Sequence, residues 1–425
     1  MSFLSALFLG VGCIQAQEPL VRNYSVNLEN QVVQRFMEEV SYEPGDASLV
    51  TNYKGSGVLY YPNPVVIDLP QNDADMLSVV CYVSETQSDS ITFNVSAASG
   101  RAVLYNLIPQ RIYNYEVKQG GQVLQHGEIV TGGHVRMIRV DGLVYNVRDL
   151  GGWLTEDGTQ RIKYGKLFRG SELNWTHEAT PEGLDTLRLL GVGAEIDMRA
   201  KWEANSKSNG HPETEGVSVF GFTNSVSTPS GEVPSYYYSN DSGMLPTNMS
   251  NYTWQYKWRQ QFQFILKNLR VNRGVYYHCI YGFDRTGYLS ILLEGLLGVS
   301  YSDMIKDFEL SCIGIGFAPK KESLDEVIAY IQNLSGETLR DKFTTYFKNK
   351  LYATQADIDY FRSEMLEDVK EDVYTPTGIQ EMQPQSAPAN DNIYDLSGRR
   401  VNRQVRGGLY LVPDATGCYR QVFVK

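Results

Sequence analysis

The chain has 425 residues, enough for two or three domains that each bury a core. With 42% hydrophobic and 20% charged residues, its composition is typical of globular proteins and excludes a disordered or fibrous chain. The net charge of −11 and the pI of about 5.1 exclude the extended basic face that nucleic-acid binding requires, but they leave room for a small basic pocket that binds an anion.

An apolar run at the N-terminus, from Phe3 to Ile14, precedes the small residue Ala16. This pattern predicts a signal peptide over residues 1–16, and therefore an exported protein that is periplasmic, bound to the cell surface or secreted. The alternative is a lipoprotein with a lipidated Cys13, although Gly10 stands where such signals usually carry a branched aliphatic residue. The run is too short to span a bilayer, and we expect no transmembrane segment elsewhere.

Short strands are predicted throughout residues 23–137, where apolar and polar side chains alternate between turn signals. The clearest are "SVVCYVSE", "SITFNVSA", "RAVLYNL" and "IYNYEVKQGGQVLQHGEIVTG", the last with a hairpin turn at Gly120–Gly121. An all-β sandwich is the natural closure for such strands. Leu107, Pro109 and the strand Tyr113–Val117 resemble a fibronectin type III domain, which implies a module that binds or spaces rather than catalyses.

Strands alternate with helices from residue 138 to residue 370, which predicts a mainly parallel α/β sheet flanked by helices. The predicted strands are "VGAEIDMR" and "GVYYHC". The predicted helices are "EGLDTLRLLG", "WQYKWRQQFQFILKNLR", "RTGYLSILLEGLLG", "KKESLDEVIAYIQNL", "GETLRDKFTTYFKNKL" and "TQADIDYFRSEMLEDV". The segment "VPSYYYSNDSG", residues 233–243, lies in a polar insertion and is either a lid that faces the substrate or an ordered surface loop.

The C-terminal part of the chain consists of two segments of different composition. Residues 371–388 are polar and rich in proline, without any period, which predicts a linker. Residues 389–425 form a tail of short predicted strands with glycine-rich turns. Its segments "IYDLSGRRV", "GGLYLV" and "RQVFVK" resemble the C-terminal sorting modules of exported proteins from some Gram-negative bacteria. The alternative is a small β appendage that packs on the preceding domain.

The stretch "YYHCIYGFDRTGYLS", residues 276–290, places Cys279 between a predicted strand and a helix that starts near Arg285. The N–H groups of the intervening turn, Ile280–Phe283, can point into its hollow, and the helix N-terminus adds partial positive charge. Such a pocket stabilises a thiolate, which can attack phosphorus and form a phosphocysteine. Arg285 carries a planar fork that matches two phosphate oxygens. The pattern therefore predicts a phosphate cradle with a nucleophile at its base.

The alternative interpretation is a strand, a turn and a buried helix that happen to contain a cysteine. It explains the leucines of the helix, but it does not explain His278 before the cysteine or Thr286 and Gly287 after the arginine. We expect Thr286 to donate a hydrogen bond to the sulfur, and Gly287 to let the helix pack closely under the loop. His278 serves better to orient Cys279 than as a base, because an existing thiolate needs no base.

The sequence "HCIYGFDRTG" resembles the His-Cys-x5-Arg-Thr-Gly signature of cysteine-dependent tyrosine and lipid phosphatases. Three further segments, "VYNVRDLGGW", "KYGKLFRGSEL" and "EIDMR", resemble the bacterial tyrosine/lipid phosphatase branch. The matching positions are Asn146, Arg148, Asp149, Gly151, Gly152, Arg169, Ser171, Asp197 and Arg199. The resemblance covers about residues 138 to 370 and implies that Tyr281, Gly282 and their neighbours bind phosphate, with Asn146, Arg148, Asp149 and Arg199 in support.

The leaving group needs a proton, which an aspartic acid in the pocket would supply. The resemblance gives two candidates, Asp284 within the loop and Asp197 at the end of its strand, and favours Asp284. For Asp284 the competing role is a carboxylate that complements the helix dipole. For Asp197 it is an ion pair with Arg199 or Arg148 that orders the strand end.

The loop departs from the family at Phe283, where a lysine is frequent. A lysine there adds charge for a second phosphate, whereas phenylalanine either offers a face to an aromatic ring or simply packs. This departure weakens the case for a polyphosphorylated inositol substrate and leans towards an aromatic or singly phosphorylated one. Lys201, Arg199 or Arg169 could compensate for the missing charge.

The sequence thus predicts a multidomain protein with an N-terminal all-β sandwich, a central α/β phosphatase domain and a small β-rich tail. We expect an exported phosphomonoesterase that acts through a phosphocysteine on a phosphotyrosine protein or a small phosphomonoester. The alternatives are an inositol phosphate or phosphoinositide phosphatase with the same mechanism, and a protein that binds a phosphorylated ligand without catalysis. No cofactor or metal is expected, because Cys81, Cys312 and Cys418 lack ligand spacing. The sequence leaves the oligomeric state open.

Overall fold

The structure is a computed structural model that describes residues 18–53, 61–83, 90–174, 177–200, 203, 218–220, 222, 226–228, 231–241, 248–315, 317–318, 320–370, 374, 393–395, 400–401, 408–413 and 419–424. The chain divides into two compact units. The first comprises residues 1–26, 65–104 and 111–130, and the second comprises residues 27–64, 105–110 and 131–425. The predicted signal peptide, Lys201 and most of the predicted linker lie outside the described residues.

The N-terminal unit is built from β-strands. They are β1 (Leu20–Val21), β2 (Tyr24–Asn27), β3 (Val65–Asp68), β4 (Met76–Tyr82), β5 (Ile91–Ser96), β6 (Arg101–Leu104), β7 (Arg111–Gln119) and β8 (Gln122–Gly132). One sheet has the order β1-β8-β7-β4-β5, with β2 also paired to β8, and β3 pairs with β6 in a second sheet. Alternate side chains are buried in β3, β4, β6 and β7, as at Leu77, Val79 and Cys81 of β4, so these strands present one face to a core. The predicted strands and the hairpin turn after Gln119 are confirmed, and the likeness to fibronectin type III stays a prediction.

The segment Asn27–Pro64 contains the first helix, α1 (Gln31–Glu39). The Asn30 side chain accepts hydrogen bonds from the N–H groups at the start of α1, and Val33 and Phe36 are buried in the main core of the second unit. Beyond α1, the Tyr42 N–H donates to the Ser302 hydroxyl at 3.0 Å. This segment therefore folds with the second unit, whereas the sequence placed it within the predicted sandwich of residues 23–137.

The second unit is organised around a five-stranded sheet. The second unit also has two two-stranded sheets. The strands of all three sheets are β9 (Arg148–Asp149), β10 (Gln160–Ile162), β11 (Leu167–Gly170), β12 (Val192–Asp197), β13 (Val226–Thr228), β14 (Gly231–Val233), β15 (Tyr236–Tyr238), β16 (Gly274–His278) and β17 (Leu366–Asp368). In the two small sheets β10 pairs with β17 and β13 pairs with β14. The central sheet has the order β15-β12-β16-β11-β9. All neighbouring pairs are parallel except β11 with β9. The predicted mainly parallel sheet is thus confirmed, with one antiparallel edge.

Helices cover this sheet. After α1 they are α2 (Pro181–Leu189), α3 (Tyr252–Leu269), α4 (Asp284–Leu297), α5 (Tyr301–Ile315), α6 (Lys321–Gln332), α7 (Leu339–Asn349) and α8 (Gln355–Met365). Val275 and Tyr277 of β16 belong to the large core that includes α3 to α8. Tyr276 between them belongs to a smaller core that includes Leu187 of α2. Because successive side chains of a strand point to opposite faces, the sheet has one core on each face. The predicted helices are confirmed, except that the last one ends at Met365 and its residues Leu366–Asp368 form β17. Helix α5 is an addition that the sequence did not reveal.

Local sequence fixes several of these helix ends. Thr338 and Thr354 each form a capping box, in which the threonine side chain and the acidic residue three positions later satisfy each other's main-chain N–H groups. Asn251 caps α3 through its side-chain oxygen, and Gly298 ends α4 in a left-handed conformation with φ of 94°. By contrast, no side chain caps the N-terminus of α4, which follows Cys279.

The tail contains four described strands, β18 (Ile393–Asp395), β19 (Arg400–Val401), β20 (Gly408–Pro413) and β21 (Tyr419–Val424). They form an antiparallel sheet of order β19-β18-β20-β21. The likeness of this tail to sorting modules stays a prediction. Among the described residues, every helix is too short or too polar to cross a bilayer.

Candidate active site

The candidate site is built on the turn between β16 and α4, which we call the cysteine loop (Cys279–Phe283). Parallel β16 lies between β12 and β11 in the sheet, so the loop emerges at the carboxyl edge, where open α/β sheets bind ligands. Gly282 has φ of 67°, a left-handed conformation that favours glycine. A Cβ atom at this position would lie 2.2 Å from the Gly170 carbonyl oxygen at the end of β11. The loop therefore packs against the neighbouring strand at a distance that only glycine allows.

The carbonyl oxygens of three successive loop residues accept hydrogen bonds from outside the loop. The donors are the Glu172 N–H to Ile280 at 2.9 Å, the Asn146 amide to Tyr281 at 3.1 Å and Gly282 at 2.9 Å, and the Arg169 guanidinium to Gly282 at 2.9 Å. In a trans peptide the C=O and the next N–H point in opposite directions. The N–H groups of the three following residues thus point away from these donors, as an anion-binding turn requires.

Arg285 stands in the first turn of α4 with its guanidinium held from two sides. It donates to the Met198 carbonyl at 2.8 Å and makes a fork-to-fork pair with Glu203 at 2.6 and 2.9 Å. Burial opposes its charge, but Cys279, Glu203 and Asp241 raise the pKa of Arg285 above its ordinary value. Glu203 thus fixes the orientation of the fork while one edge stays available for an anion. Sequence reasoning missed this carboxylate, which lies 82 residues from its partner.

Cys279 is buried, with 3% of its surface exposed, and it is a free cysteine. His278 directly before it is fully buried and bonds Glu195 through Nε2 at 3.0 Å and the Cys279 carbonyl through Nδ1 at 3.0 Å. Burial opposes a charged ring, but Asp197 and Glu195 raise the pKa of His278. The orienting role expected of His278 stays a prediction. The buried Thr286 hydroxyl has no hydrogen-bond partner among the described residues.

The motif residues upstream form a buried charge network beneath the loop. Asp307 of α5 pairs with both Arg148 and Arg169, and all three side chains are at most 1% exposed. Arg148 also bonds the side chain of Asn146, so both arginines connect α5 to the loop carbonyls. Burial opposes the charge of Asp307, but the two guanidinium groups lower its pKa. Sequence reasoning missed Asp307 because no motif contains it.

Asp149 has a different place from the other motif residues. It pairs with Arg136 at 3.1 Å and accepts hydrogen bonds from the N–H groups of Gly151 and Gly165 at 2.9 and 2.7 Å. Burial raises its pKa despite these partners. Asp149 therefore orders the glycine turn that follows β9, and none of these contacts reaches the cysteine loop.

The two predicted acids occupy different surroundings. Asp284 is the first residue of α4, and its Oδ1 accepts a hydrogen bond from Lys320 at 2.6 Å. Asp197 is buried and bound by the Arg199 guanidinium through both carboxylate oxygens. Burial opposes ionisation of Asp197, but Arg199 and His278 lower its pKa to about 2. Arg199 also pairs with Glu172 at 2.7 Å, so it belongs to the wall of the site.

Phe283 packs rather than faces a ligand. Its side chain is fully buried against Phe308 and Phe317, with ring centroids 4.7 and 6.3 Å apart. The Lys320 ammonium lies 5.3 Å from the Phe283 ring centroid. Phe283 could either offer its face to an aromatic ring of the substrate or pack in the core, and the structure shows packing. Phe283 therefore gives no support for an aromatic substrate. Phe283 can still bind phosphate through its main-chain N–H.

Comparison with known proteins shows the family to which the chain belongs. The family model described as "Tyrosine phosphatase family" matches residues 138–367, which is more than half of the chain. A protein of Cupriavidus necator, provisionally named a tyrosine-protein phosphatase, is 25% identical over 177 residues. That match covers 39% of this chain and 59% of the relative, so the chain spans less than two thirds of the length of this relative. On the family match, the chain belongs to the tyrosine phosphatase family.

Proposed function

We propose that the protein is an exported phosphomonoesterase of the protein tyrosine phosphatase type, with Cys279 as its nucleophile. The observation that carries the proposal is the cysteine loop, in which three successive carbonyls are bonded outward and leave the N–H groups for an anion. A site that only binds phosphate needs these N–H groups but has no use for a thiol beside them. The export rests on the predicted signal peptide over residues 1–16.

In the proposed reaction the Cys279 sulfur bonds to phosphorus as the bond between phosphorus and the leaving oxygen breaks. Arg285 and the loop N–H groups hold the equatorial oxygens, where negative charge is concentrated in the transition state. Because Glu203 already orients the arginine, this stabilisation requires little rearrangement during the reaction. A water molecule then hydrolyses the phosphocysteine, which releases phosphate and restores the cysteine.

The leaving oxygen takes a proton from a carboxylic acid of the pocket. The resemblance points to Asp284, which stands beside Arg285 in the first turn of α4. Asp197 is poorly suited, because Arg199 occupies both of its oxygens and holds its pKa at about 2. A donor must still carry its proton at the pH of the reaction.

The proposed substrate is a phosphotyrosine protein or a small phosphomonoester. An inositol phosphate or phosphoinositide is the second candidate, and one contact favours it. The Lys320 ammonium lies 2.6 Å from the Asp284 carboxylate. Lys320 thus supplies, close to the loop, the positive charge that a lysine at position 283 would carry. Its side chain remains 36% exposed and can reach a second phosphate. A panel of phosphotyrosine peptides and inositol phosphates separates the two classes.

The experiment that tests the proposed function is phosphate release from p-nitrophenyl phosphate under reducing conditions and without added metal. The wild type is compared with Cys279→Ser and with the control Cys312→Ser, which alters another buried cysteine. We expect activity in the wild type and the control, and its loss in Cys279→Ser. Acid quenching of a reaction with radioactive phosphate ester should then trap label on the wild-type protein.

Two results would overturn the proposal in different ways. Equal activity of the wild type and Cys279→Ser would show that the thiol is not the nucleophile. No phosphate release from any variant, with vanadate still bound by the wild type, would indicate a protein that binds a phosphorylated ligand without catalysis.

A further inference from the structure

The segment that follows β15 emerges beside the cysteine loop. In the sheet register Tyr238 at the end of β15 lies opposite Asp197, and Asp197 lies opposite His278 at the end of β16. Hydrogen bonds continue beyond the strand ends, from the Ser239 N–H to the Asp197 carbonyl at 2.8 Å and from the Met198 N–H to the His278 carbonyl at 2.9 Å. Residues 239–241, part of the polar insertion noted in the sequence, therefore belong to the same edge of the sheet as the nucleophile.

Asp241 is the last residue of this segment, and only one oxygen of its carboxyl group, Oδ1, has partners. Its Oδ1 accepts a hydrogen bond from the Ser239 hydroxyl at 2.6 Å and lies 2.9 Å from the ammonium of Lys257 on α3. Lys257 also donates to the Asn240 carbonyl at 2.7 Å, which fixes the turn. The residue is only 1% exposed, and Oδ2 is buried without a hydrogen-bond partner in the described part of the chain.

An unpartnered buried carboxylate oxygen is costly while it is charged, and a proton on that oxygen lowers the cost because it removes the charge. Burial raises the pKa of Asp241, and Lys257, Ser239 and Arg285 only partly offset this rise. The charged and titratable groups that face it are Lys257 from α3, Arg285 from α4 and Tyr237 from β15. Asp241 in turn raises the pKa of Arg285, so the carboxyl and the guanidinium interact electrostatically.

The other two aspartates of the site have oxygens that are already occupied by cations. Lys320 holds Oδ1 of Asp284, and Arg199 holds both oxygens of Asp197. Asp241 differs from both because Lys257 pairs with its Oδ1 only, and its Oδ2 is buried away from water without a partner among the described residues. It thus combines a shielded oxygen, a place at the carboxyl edge of the sheet and an electrostatic interaction with Arg285.

We propose that Asp241, rather than Asp284, protonates the leaving group of the phosphomonoester; this inference rests on the proposed function. As the bond from Cys279 sulfur to phosphorus forms and the bond to the leaving oxygen breaks, the Oδ2 proton passes to that oxygen. The Asp241 carboxylate then accepts a proton from the water that attacks the phosphocysteine. Phosphate leaves, the thiolate is restored, and Asp241 again carries its proton.

The test compares Asp241→Asn with Asp284→Asn on two aryl phosphates of different leaving ability. Nitrophenolate leaves readily without a proton, whereas phenolate, whose acid has a pKa near that of tyrosine at about 10, depends on an acid. For Asp241→Asn we expect kcat/KM for phenyl phosphate to fall by roughly 100-fold or more, and kcat/KM for p-nitrophenyl phosphate to fall less than roughly tenfold. The alkaline limb of the pH profile of kcat/KM should disappear only in this variant.

Three other outcomes overturn the inference without overturning the function, and a fourth overturns both. A leaving-group effect in Asp284→Asn and none in Asp241→Asn would return the role to Asp284. Equal losses on both substrates in Asp241→Asn would show a positioning role only. Loss of turnover in Cys279→Ser with an unaffected Asp241→Asn would leave the proposed function intact, whereas an inactive wild type would end both.

A second variant guards against a folding defect in Asp241→Asn. Ser239→Ala removes the hydroxyl hydrogen bond that lowers the pKa of Asp241 and keeps the carboxyl group. We expect the alkaline limb of kcat/KM to move to higher pH in this variant, with vanadate affinity unchanged. An alkaline limb that does not move would contradict the inference.

Discussion

Arg169 holds the cysteine loop from beneath, through a hydrogen bond from its guanidinium to the Gly282 carbonyl at 2.9 Å. The same group donates to the Ser290 hydroxyl at 2.7 Å and pairs with Asp307, and the side chain is fully buried. Because the Gly282 carbonyl is turned towards Arg169, the N–H of the next residue faces the opposite side, where an anion would bind. The geometry of the proposed anion site therefore depends on Arg169, which bonds the loop from the opposite side.

Arg169→Lys should weaken anion binding while the charge is kept. A lysine cannot reach Gly282, Ser290 and Asp307 together, because it lacks the planar fork. A hydrogen bond with a charged partner contributes about 1.5–3 kcal/mol, so we expect vanadate affinity to fall about tenfold or more. Isothermal titration calorimetry with vanadate measures the affinity of the variant and of the wild type.

The matched control for this variant is Arg161→Lys. Arg161 is also a buried arginine, but it pairs with Glu367 on β17 and not with the cysteine loop. Its substitution should leave vanadate affinity unchanged. Equal affinities in Arg169→Lys and the wild type would show that the Gly282 peptide is fixed by other contacts.

Gly282→Ala should abolish anion binding. The left-handed conformation costs a non-glycine residue about 1–2 kcal/mol, and a Cβ atom would in addition lie 2.2 Å from the Gly170 carbonyl oxygen. Gly158 has a similar φ of 70° but nothing within 4 Å of its Cβ position, so Gly158→Ala carries the strain without the collision. We expect phosphate release and vanadate binding to be lost in Gly282→Ala and kept in Gly158→Ala. Retained activity in both variants would mean that β11 and the loop separate easily.

The sequence predicted the cysteine loop because its chemistry is contiguous. His278, Cys279, Arg285 and Thr286 stand within nine positions, and a strand, a turn and a helix bring such neighbours together without help from distant residues. The groups that support the loop are distant in sequence. Glu203 lies 82 residues from Arg285, and the Asp307–Arg148 pair spans 159 residues. Single carboxylates at such separations carry no pattern, so only the fold reveals them.

Helix α5 was missed for a related reason. Asp307, Glu309 and Ser311 are buried on it, each because it meets a partner from another part of the chain. Buried polar residues disturb the apolar period from which a helix is recognised. The sequence likewise places the segment Asn27–Pro64 in the predicted sandwich. In the structure the segment belongs to the second unit and contacts α5, a helix that the sequence does not predict.

Asp197→Asn should destabilise the second unit instead of changing the leaving-group preference. Burial opposes ionisation, but Arg199 and His278 lower the pKa of Asp197 to about 2, below the ordinary 3.8. The ionised form therefore stabilises the fold above about pH 4, and this contribution is lost as the pH falls towards 2. At neutral pH, removal of one partner from a buried pair costs about 3–5 kcal/mol in the free energy of unfolding.

Urea denaturation followed by tryptophan fluorescence measures this change, because all five tryptophans lie between residues 153 and 258 in the second unit. Asp185→Asn is the control, since Asp185 pairs with Arg188 at 2.6 Å on the exposed side of α2 and should contribute less than about 1 kcal/mol. The difference in the free energy of unfolding between Asp197→Asn and the wild type should become smaller as the pH falls below about 4. A difference that is constant with pH would contradict an ionised Asp197.

Tyr42→Phe tests whether the segment Asn27–Pro64 stabilises the second unit, of which it is part. The Tyr42 hydroxyl is buried and donates to Glu309 of α5, so its removal leaves a buried carboxyl without this partner. We expect the free energy of unfolding, read from tryptophan fluorescence, to fall by about 1–3 kcal/mol. Tyr53→Phe is the control, because the Tyr53 hydroxyl donates to Glu39 at 2.9 Å in an exposed contact and should matter little. If both variants unfold at the urea concentration of the wild type, the contact of Tyr42 with α5 does not stabilise the second unit.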